Sequence, residues 1–316
     1  MIREIDQLDE LVALLPYLLH VPDEPRGADP AAISSFQQYL DDAAVRWRAW
    51  QRATTSGRPA AAVLALLPPG ATAMVLTPNP GQLGVDEAAQ VELTRAALAE
   101  LRRHPLHYAQ ALVEPRAPGK VRALEAAGFA RLTDLLYFSR HSVYPWVDPA
   151  SHDGLSWTSY TPERHAEFAR TVLATYAGSL DCPELLALRP IDDVLASHQA
   201  AGAFDPRWWE LMLLDGRAVG CLLLARVAHA RLLEIVYLGV VPEARGAGIG
   251  SLLMRRAIEH CRAAGDARLV VVVDERNLPA RKLYEHFAFE QTATRTAYLA
   301  LFKGDAPRAA PTPPEM

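Results

Sequence analysis

The sequence predicts an α/β protein made of two domains in tandem, and three observations support this fold class. The chain has 316 residues, more than one typical domain holds. Half of the residues are hydrophobic and 22% are charged, as in a globular protein with a substantial core. Apolar runs that suit strands alternate with helix-like periodicity, and their order recurs when the sequence is shifted so that Glu114 falls on Asp274.

The repeat is clearest in two pairs of segments. "SGRPAAAVLALL" from Ser56 is similar to "DGRAVGCLLLA" from Asp215. "EPRAPGKVRALEAAGF" from Glu114 aligns with "DERNLPARKLYEHFAF" from Asp274. Because few residues are identical, the evidence for a duplication is the order of elements more than matching residues. A chance resemblance is the alternative.

The segment "VYPWVDPASHDG" is rich in Pro, Asp and Gly, which is typical of a linker. We therefore expect a first domain at 1–142, a linker at 143–154 and a second domain at 155–303. The Pro- and Ala-rich end at 304–316 is expected to be disordered.

The second half has the clearest elements. The turn "DGRA" between two apolar runs predicts a hairpin, and "RLLEIVYLGV" predicts a third strand. "ARLVVVV" is apolar throughout, as in a strand buried on both faces. The predicted strands are 208–214, 219–227, 231–240 and 267–273, and the predicted helices are 246–264, with Gly265 after it, and 278–286, with Pro279 near its first turn.

Composition excludes several classes of protein. A net charge of -5 without a basic face argues against nucleic acid as a partner. No apolar run approaches the roughly 20 residues that span a bilayer, and the acidic start "MIREIDQLDE" is unlike a secretory signal. Three cysteines far apart indicate no metal site and favour a reducing, cytoplasmic location. A homodimer is possible, and the sequence does not determine the oligomeric state.

Glycines are concentrated at one strand-to-helix junction, in "LGVVPEARGAGIGSLLMRRAIEHC" from Leu238. Unpaired N–H groups and the helix dipole make such a junction a phosphate site. A Walker-type loop is excluded because no Lys follows the glycines. A dinucleotide-binding loop remains an alternative, although Ser251 stands where its third glycine belongs, and so does a purely structural turn that allows tight packing.

Two motifs here resemble the signatures of the GNAT superfamily of acyl-CoA-dependent N-acetyltransferases. Arg245, Gly248 and Gly250 match R-x-x-G-x-G. "NLPARKLYEHFAF" matches N-x-x-A-x-x-x-Y-x-x-x-G-F, with Ala288 at the glycine position. The resemblance covers about 155–302. It implies a mixed, mostly antiparallel twisted sheet flanked by helices in each domain, and a tandem architecture like that of the mycothiol synthase-like members.

The resemblance also implies roles for individual residues. Main-chain groups of the strand before the glycine turn would bind pantetheine and the acetyl carbonyl, and the turn would bind the diphosphate of acetyl-CoA, its cosubstrate. The expected cofactor-binding residues are Leu238, Gly239, Val240, Arg245, Gly246, Ala247, Gly248, Ile249, Gly250, Ser251 and Asn277. Asn277 would bind pantetheine, cap the short helix, or do both.

Two side chains are expected to carry proton transfers. Tyr284 would be the general acid for the thiolate, with plain helix packing as the alternative. Glu234 would be the general base, with an exposed strand carboxylate as the alternative. Strand alternation predicts that Glu234 and Leu238 lie on one face. Asp274 and Glu275 are expected near the cofactor end, with plain solvated loop acids as the alternative.

The acceptor side is expected in "TYAGSLDCPELL", where the family's first two helices form the substrate wall. Tyr176, Asp181 and Cys182 are the candidates for contact with a small-molecule or peptide amine. The alternative is an ordinary loop after a helix. Trp208 and Trp209 are expected in the core, while His260 is expected at the surface.

The first half retains the framework without these groups. At the place of the glycine turn it reads "PNPGQLGVDEAAQ", where Asp86 and Glu87 would repel a diphosphate. Leu124 stands in place of Tyr284, and Ala117 in place of Asn277. We therefore expect a degenerate first domain and an N-acetyltransferase in the second. A non-catalytic acyl-CoA sensor, a dinucleotide-dependent oxidoreductase and a structural protein are the alternatives.

Overall fold

Both halves of the sequence fold with the same order of elements, β-α-α-β-β-β-α-β-α-β, as the repeat predicts. A computed structural model describes residues 2–20, 28–42, 45–143, 154–227 and 230–302. The predicted linker, apart from its two end residues, and the predicted tail lie outside the described residues.

The elements of the first half begin with β1 (Ile2–Ile5) and α1 (Leu8–Leu18) and end with β6 (Ala130–His141). Between them lie α2 (Pro30–Asp42), β2 (Arg46–Ala53), β3 (Pro59–Leu67), β4 (Thr72–Leu76), α3 (Glu87–Leu101), β5 (Tyr108–Val113) and α4 (Pro118–Ala127).

The elements of the second half begin with β7 (Leu155–Ser159) and α5 (His165–Tyr176) and end with β12 (Glu290–Leu301). Between them lie α6 (Ile191–Gln199), β8 (Trp209–Leu214), β9 (Arg217–Val227), β10 (Leu232–Val240), α7 (Ile249–Ala263), β11 (Arg268–Asp274) and α8 (Leu278–His286). Helix α7 begins later than predicted because Gly246 and Gly248 have φ angles of 77° and 80°, outside the helical region.

The described residues form two compact units, and each contains a strand from the other half of the sequence. Of the described residues, the first unit holds those up to Asp134 and those from Thr294 to Phe302, and the second holds those within Leu135–Ala293. The strand order is β1-β2-β3-β4-β5-β12 in the first unit and β6-β11-β10-β9-β8-β7 in the second. The units therefore depart from the two sequence halves at β6 and β12.

Within each unit one neighbouring strand pair is parallel and the others are antiparallel. The parallel pairs are β4 with β5 and β10 with β11. This arrangement confirms the predicted mixed, mostly antiparallel sheet, because β1–β2, β2–β3, β3–β4 and β5–β12 in the first unit, and β7–β8, β8–β9, β9–β10 and β11–β6 in the second, are antiparallel.

The second unit buries both faces of its sheet. Helix α5 packs on one face around Phe168 and Trp209, which are both fully buried, so the prediction that Trp209 belongs to the core is confirmed. Helix α7 packs on the other face through Leu253 and its neighbours. The prediction for His260 is wrong, because its Nε2 lies 2.7 Å from the Oε2 atom of buried Glu210.

A β-bulge at Val236 changes which side chains of β10 face each layer. Before the bulge, Ile235 packs toward α7; after it, Leu238 does so, while Tyr237 packs on the α5 side. Glu234, which alternates with Ile235, therefore lies on the opposite face from Leu238. The prediction that these two residues share a face is wrong because the extra residue shifts the alternation by one.

Helix α8 ends in a left-handed residue. Ala288 has a φ of 57°, and Gly128, at the equivalent position after α4, has a φ of 107°. This is the position where the GNAT motif has glycine, since a residue without a Cβ adopts positive φ at little cost. Among the described residues, no helix combines the length and hydrophobicity that a bilayer crossing needs.

Candidate active site

A cleft opens between the parallel strands β10 and β11. Their pairing covers only Leu232–Ile235 with Arg268–Val271. Beyond it, β10 continues beside β9 as far as Val240, and β11 continues beside β6 as far as Asp274. The strands therefore diverge, and the cleft has a volume of about 480 Å³.

The cleft gathers most of the residues that the sequence analysis selected. It does not include Ala247, Tyr176 or Glu234 among its lining residues. The selected residues that line it are Leu238, Gly239, Val240, Arg245, Gly246, Gly248, Ile249, Gly250, Ser251, Asn277, Tyr284 and Asp181.

The glycine turn presents free donors at the start of α7. The N–H groups of residues 246–250 donate to no acceptor within the described part of the chain, and the N-cap residue Gly248 has no side chain to cap the helix. A Cβ at Gly246 or Gly248 would meet no atom within 4 Å. These two positions therefore require glycine because of their positive φ angles and not because of close packing. The turn exposes N–H donors that suit an anion.

The guanidinium of Arg245 donates hydrogen bonds to main-chain carbonyl oxygens. It donates to the carbonyl oxygens of Val240 at 3.1 Å, Thr175 at 2.8 Å and Gly178 at 3.5 Å. These bonds join the end of α5 to the end of β10 beside the cleft. Arg245 thus shapes the turn, and the main-chain donors are the groups left for an anion.

Tyr284 lies on α8 at the apolar end of the cleft. The residue is 5% exposed, and its ring centroid lies 5.8 Å from those of Phe138 and Phe289. Burial, and to a smaller degree the charge of Asp181, raises the pKa of Tyr284 well above its usual value. The phenol therefore stays protonated at neutral pH and has a proton to give. Asn277 caps α8, since its Oδ1 accepts from the Ala280 N–H at 3.3 Å.

Asp181 enters the cleft from the loop after α5. Its Oδ1 accepts the N–H of Asp274 at 2.9 Å, and burial raises its pKa. Asp274 is fully buried, and its Oδ2 accepts the N–H of Cys182 at 3.0 Å. The alternative that Asp274 is a solvated loop acid is wrong, because the loop after α5 covers it.

Glu234 lies on β10 away from the cleft lining. Burial raises its pKa from the usual 4.5 to about 7. Glu234 is only partly exposed, so the alternative of an exposed strand carboxylate does not hold. A group that titrates near neutrality is suited to accept a proton.

Tyr176 ends α5 and packs edge-on against Tyr237, with ring centroids 6.0 Å apart. The sequence analysis missed Tyr237, which lines the cleft and whose hydroxyl lies 2.6 Å from the Oγ1 of Thr175. A Cβ at Gly239 would lie 2.7 Å from that Oγ1, so Gly239 allows α5 to approach β10. No single-residue motif marks Tyr237, because its position depends on the bulge before it.

In the first unit, a side chain caps the start of the equivalent helix. The Oδ1 of Asp86 accepts the Ala89 N–H at 2.7 Å and so caps α3. Glu87 pairs with Arg122 at 2.8 Å. Carboxylates therefore occupy the place where α7 has free donors. Within the described residues of either unit, no cluster of His, Cys, Asp or Glu could hold a metal ion.

Comparison with known proteins identifies the segment around this cleft. Residues 175–289 match the model of the Acetyltransferase (GNAT) family. A mycothiol acetyltransferase of Thermomonospora curvata is 32% identical over 206 residues, which cover 64% of this chain and 66% of that protein. One of Beutenbergia cavernae is 32% identical over 199 residues, 57% of this chain and 63% of that protein. The chain thus spans slightly less than two thirds of these curated relatives.

Solved structures share the fold over nearly the whole chain. A GCN5-related N-acetyltransferase from Sphaerobacter thermophilus has a TM-score of 0.70 and 15% identity, covering 96% of both chains. A tandem GNAT protein from the clavulanic acid biosynthesis pathway has a TM-score of 0.58 and 19% identity, covering 96% of this chain and 100% of its own. At such identities the likeness concerns the fold, and it agrees with the predicted tandem arrangement.

Proposed function

We propose, from the match of residues 175–289 to the GNAT acetyltransferase family, that the chain is an N-acetyltransferase that moves an acetyl group from acetyl-CoA to a primary amine. The observation that supports this best is the cleft between β10 and β11, which has an uncapped helix start at one end and Tyr284 in its wall. The diphosphate would bind the N–H groups of residues 246–250. Pantetheine would follow the main chain of β10.

The reaction is a direct attack. The amine nitrogen bonds to the thioester carbonyl carbon while main-chain donors of β10 stabilise the charge on the carbonyl oxygen. The C–S bond then breaks, and Tyr284 gives its proton to the departing thiolate. The proton that remains on the amide nitrogen restores the phenol through water.

Before the attack, the acceptor's ammonium must lose a proton. Glu234 is proposed as the base, acting through water because it does not line the cleft. Asp181, and Tyr176 behind it, would form the acceptor side, where a carboxylate suits a cationic amine. Because the curated relatives are called mycothiol acetyltransferases, the acceptor of those enzymes is the first compound to test. We propose that the enzyme is cytoplasmic and that its acceptor is a small molecule or a peptide.

The test is thiol release by the purified protein with acetyl-CoA and a panel of amines, for the wild type and Tyr284→Phe. We expect amine-dependent release in the wild type. Loss of the acid should lower kcat by about 100-fold or more while the Kd of acetyl-CoA changes little. Tyr298→Phe, which removes the hydroxyl of a buried tyrosine in the first unit, is the control.

Three outcomes would contradict the proposal. Binding of acetyl-CoA with no release for any amine would indicate an acyl-CoA sensor. Binding of NAD(P)H in place of acetyl-CoA would indicate an oxidoreductase. An equal loss of affinity and turnover in Tyr284→Phe would contradict the role of Tyr284 as an acid.

A further inference from the structure

Two segments that border the cleft exchange main-chain hydrogen bonds through their aspartates. The loop after α5 contributes Asp181, which accepts from the Asp274 N–H at 2.9 Å. The end of β11 contributes Asp274, which accepts from the Cys182 N–H at 3.0 Å. This reciprocal pair places the Asp181 carboxylate at the cleft wall. Neither bond would survive a large movement of either segment.

Arg276 bridges the same two segments. Its guanidinium donates to both carboxylate oxygens of Asp274, at distances of 2.6–3.1 Å. It also donates to both oxygens of Glu184, at 2.6 and 2.9 Å. Glu184 belongs to the short helical turn that begins directly after Cys182. One side chain thus joins the turn after β11 to Glu184 of this loop segment, while it pairs with Asp274 on its own segment.

The charges explain why this bridge matters. Asp274 is fully buried, and the Glu184 side chain is only 11% exposed. Asp181 lies close enough to Asp274 for the charge of Asp274 to raise its pKa. Arg276 is the cation that these carboxylates share, and the groups that face Asp181 from other elements are Asp274, Arg276, Asn277, Tyr284 and Tyr237. Without Arg276, buried like charges would push the loop away.

We propose that Arg276 is a positioning residue that acts through Asp274 and Glu184 to hold Asp181 in the cleft, where Asp181 binds the ammonium group of the acceptor amine. The proposal deepens the function given above and rests on it. Arg276 itself does not touch the acceptor. The proposed diphosphate site, at the glycine turn, lies on another element and so does not depend on the bridge.

The main test is Arg276→Gln in the full-length protein, with steady-state kinetics on the best amine from the panel and calorimetric binding of acetyl-CoA. We expect the KM of the amine to rise about tenfold or more, since a charge-assisted hydrogen-bond network is lost. The Kd of acetyl-CoA should stay within about twofold of the wild type. Arg276→Lys should restore part of the effect, because it keeps the charge without the bidentate geometry.

Two further variants separate positioning from general stability. Glu184→Gln weakens the loop side of the bridge and leaves Asp274 paired, so it should raise the KM of the amine by a smaller factor. Arg207→Gln is the matched control, because Arg207 binds Asp205 with the same two-residue spacing and similar distances on an exposed loop. It should leave both constants unchanged.

The outcomes keep the two proposals distinguishable. If the wild type releases thiol and Arg276→Gln lowers amine and acetyl-CoA affinity equally, or leaves the amine KM unchanged, the positioning role is wrong and the function stands. If Arg276→Gln does not fold, an unchanged amine KM in Glu184→Gln overturns the role. If the wild type itself releases no thiol, the proposed function fails first.

Discussion

At the scale of single residues, burial rather than local sequence decides the chemistry of the acidic side chains. Glu234, Asp181 and Asp274 all lie in segments that read as ordinary strand or loop sequence. Burial raises the pKa of Glu234 to about 7 and also raises that of Asp181. Asp274 is instead held by Arg276 at 2.6 Å. Each of these three carboxylates therefore has a distinct environment within one unit.

Glu234 makes folding stability depend on pH. Its pKa is about 7 in the folded protein against 4.5 as usual, so the folded state binds more protons between those values. The contribution of Glu234 to the free energy of unfolding is therefore fully present below about pH 4.5 and is lost as pH rises through about 7. The total loss in the free energy of unfolding is at most about 3 kcal/mol.

Glu234→Gln should remove this dependence. Between pH 5 and pH 8 the wild type should lose stability relative to the variant, as measured by urea unfolding at both values. Glu290→Gln, at an exposed position, should behave like the wild type. The same pH slope in wild type and Glu234→Gln would show that burial does not shift this carboxyl group.

At the scale of elements, the start of α7 and the end of α8 show how backbone conformation serves different purposes. The glycine turn uses positive φ to expose donors, whereas the turn after α8 uses it only to end a helix. The first therefore affects ligand binding, and the second affects stability. Each has an equivalent elsewhere in the chain that provides a control.

Gly248→Val should abolish measurable acetyl-CoA binding while the fold persists. Gly248 has a φ of 80°, which a β-branched residue does not tolerate, so the donors would turn away from the diphosphate. Calorimetry with acetyl-CoA gives the measurement. Gly57→Val is the control, because Gly57 has a φ of 82° and equally open surroundings in a hairpin turn of the first unit. Tight binding by Gly248→Val would contradict the assignment of the turn.

Ala288→Gly should stabilise the protein by about 1 kcal/mol, because a left-handed alanine carries a cost that glycine avoids. The melting temperature should rise by about 2–4 °C. Gly128→Ala, at the equivalent turn after α4, should shift it in the opposite direction. If both changes are neutral, the two turns relax at no cost and the argument from φ fails.

At the scale of the whole molecule, one framework occurs twice and carries one proposed donor site. Both sequence halves have the same element order, and each unit has one parallel strand pair. They differ at the helix that follows the first strand of the parallel pair. In the first unit this helix is α3, which Asp86 caps, whereas in the second unit it is α7, whose start has no side-chain cap. The first unit thus retains the architecture and satisfies its own donors with a carboxylate.

We expect one molecule of acetyl-CoA to bind per chain. The capped start of α3 offers no free anion site, and a carboxylate there repels a diphosphate. Isothermal titration gives the stoichiometry directly, and Gly248→Val should abolish all binding. Two equivalents bound per wild-type chain would contradict the assignment of the first unit as degenerate.

Local patterns were enough to predict the fold class, the repeat and the glycine turn. Periodicity, capping residues and positive-φ glycines act over a few neighbouring residues, so they can be read along the chain. The GNAT resemblance came from the same short motifs, and it led to Tyr284 and the turn before α7, both of which line the cleft.

Only the tertiary structure decided the contacts between distant segments. The strands β6 and β12 belong to compact units built mainly from the other half of the sequence. The bulge at Val236 moved Glu234 to the opposite face from Leu238, and the loop after α5 buried Asp274. The bridge from Arg276 to Glu184 spans 92 residues of sequence. Such contacts depend on which surfaces meet in space, and no local pattern along the chain records that.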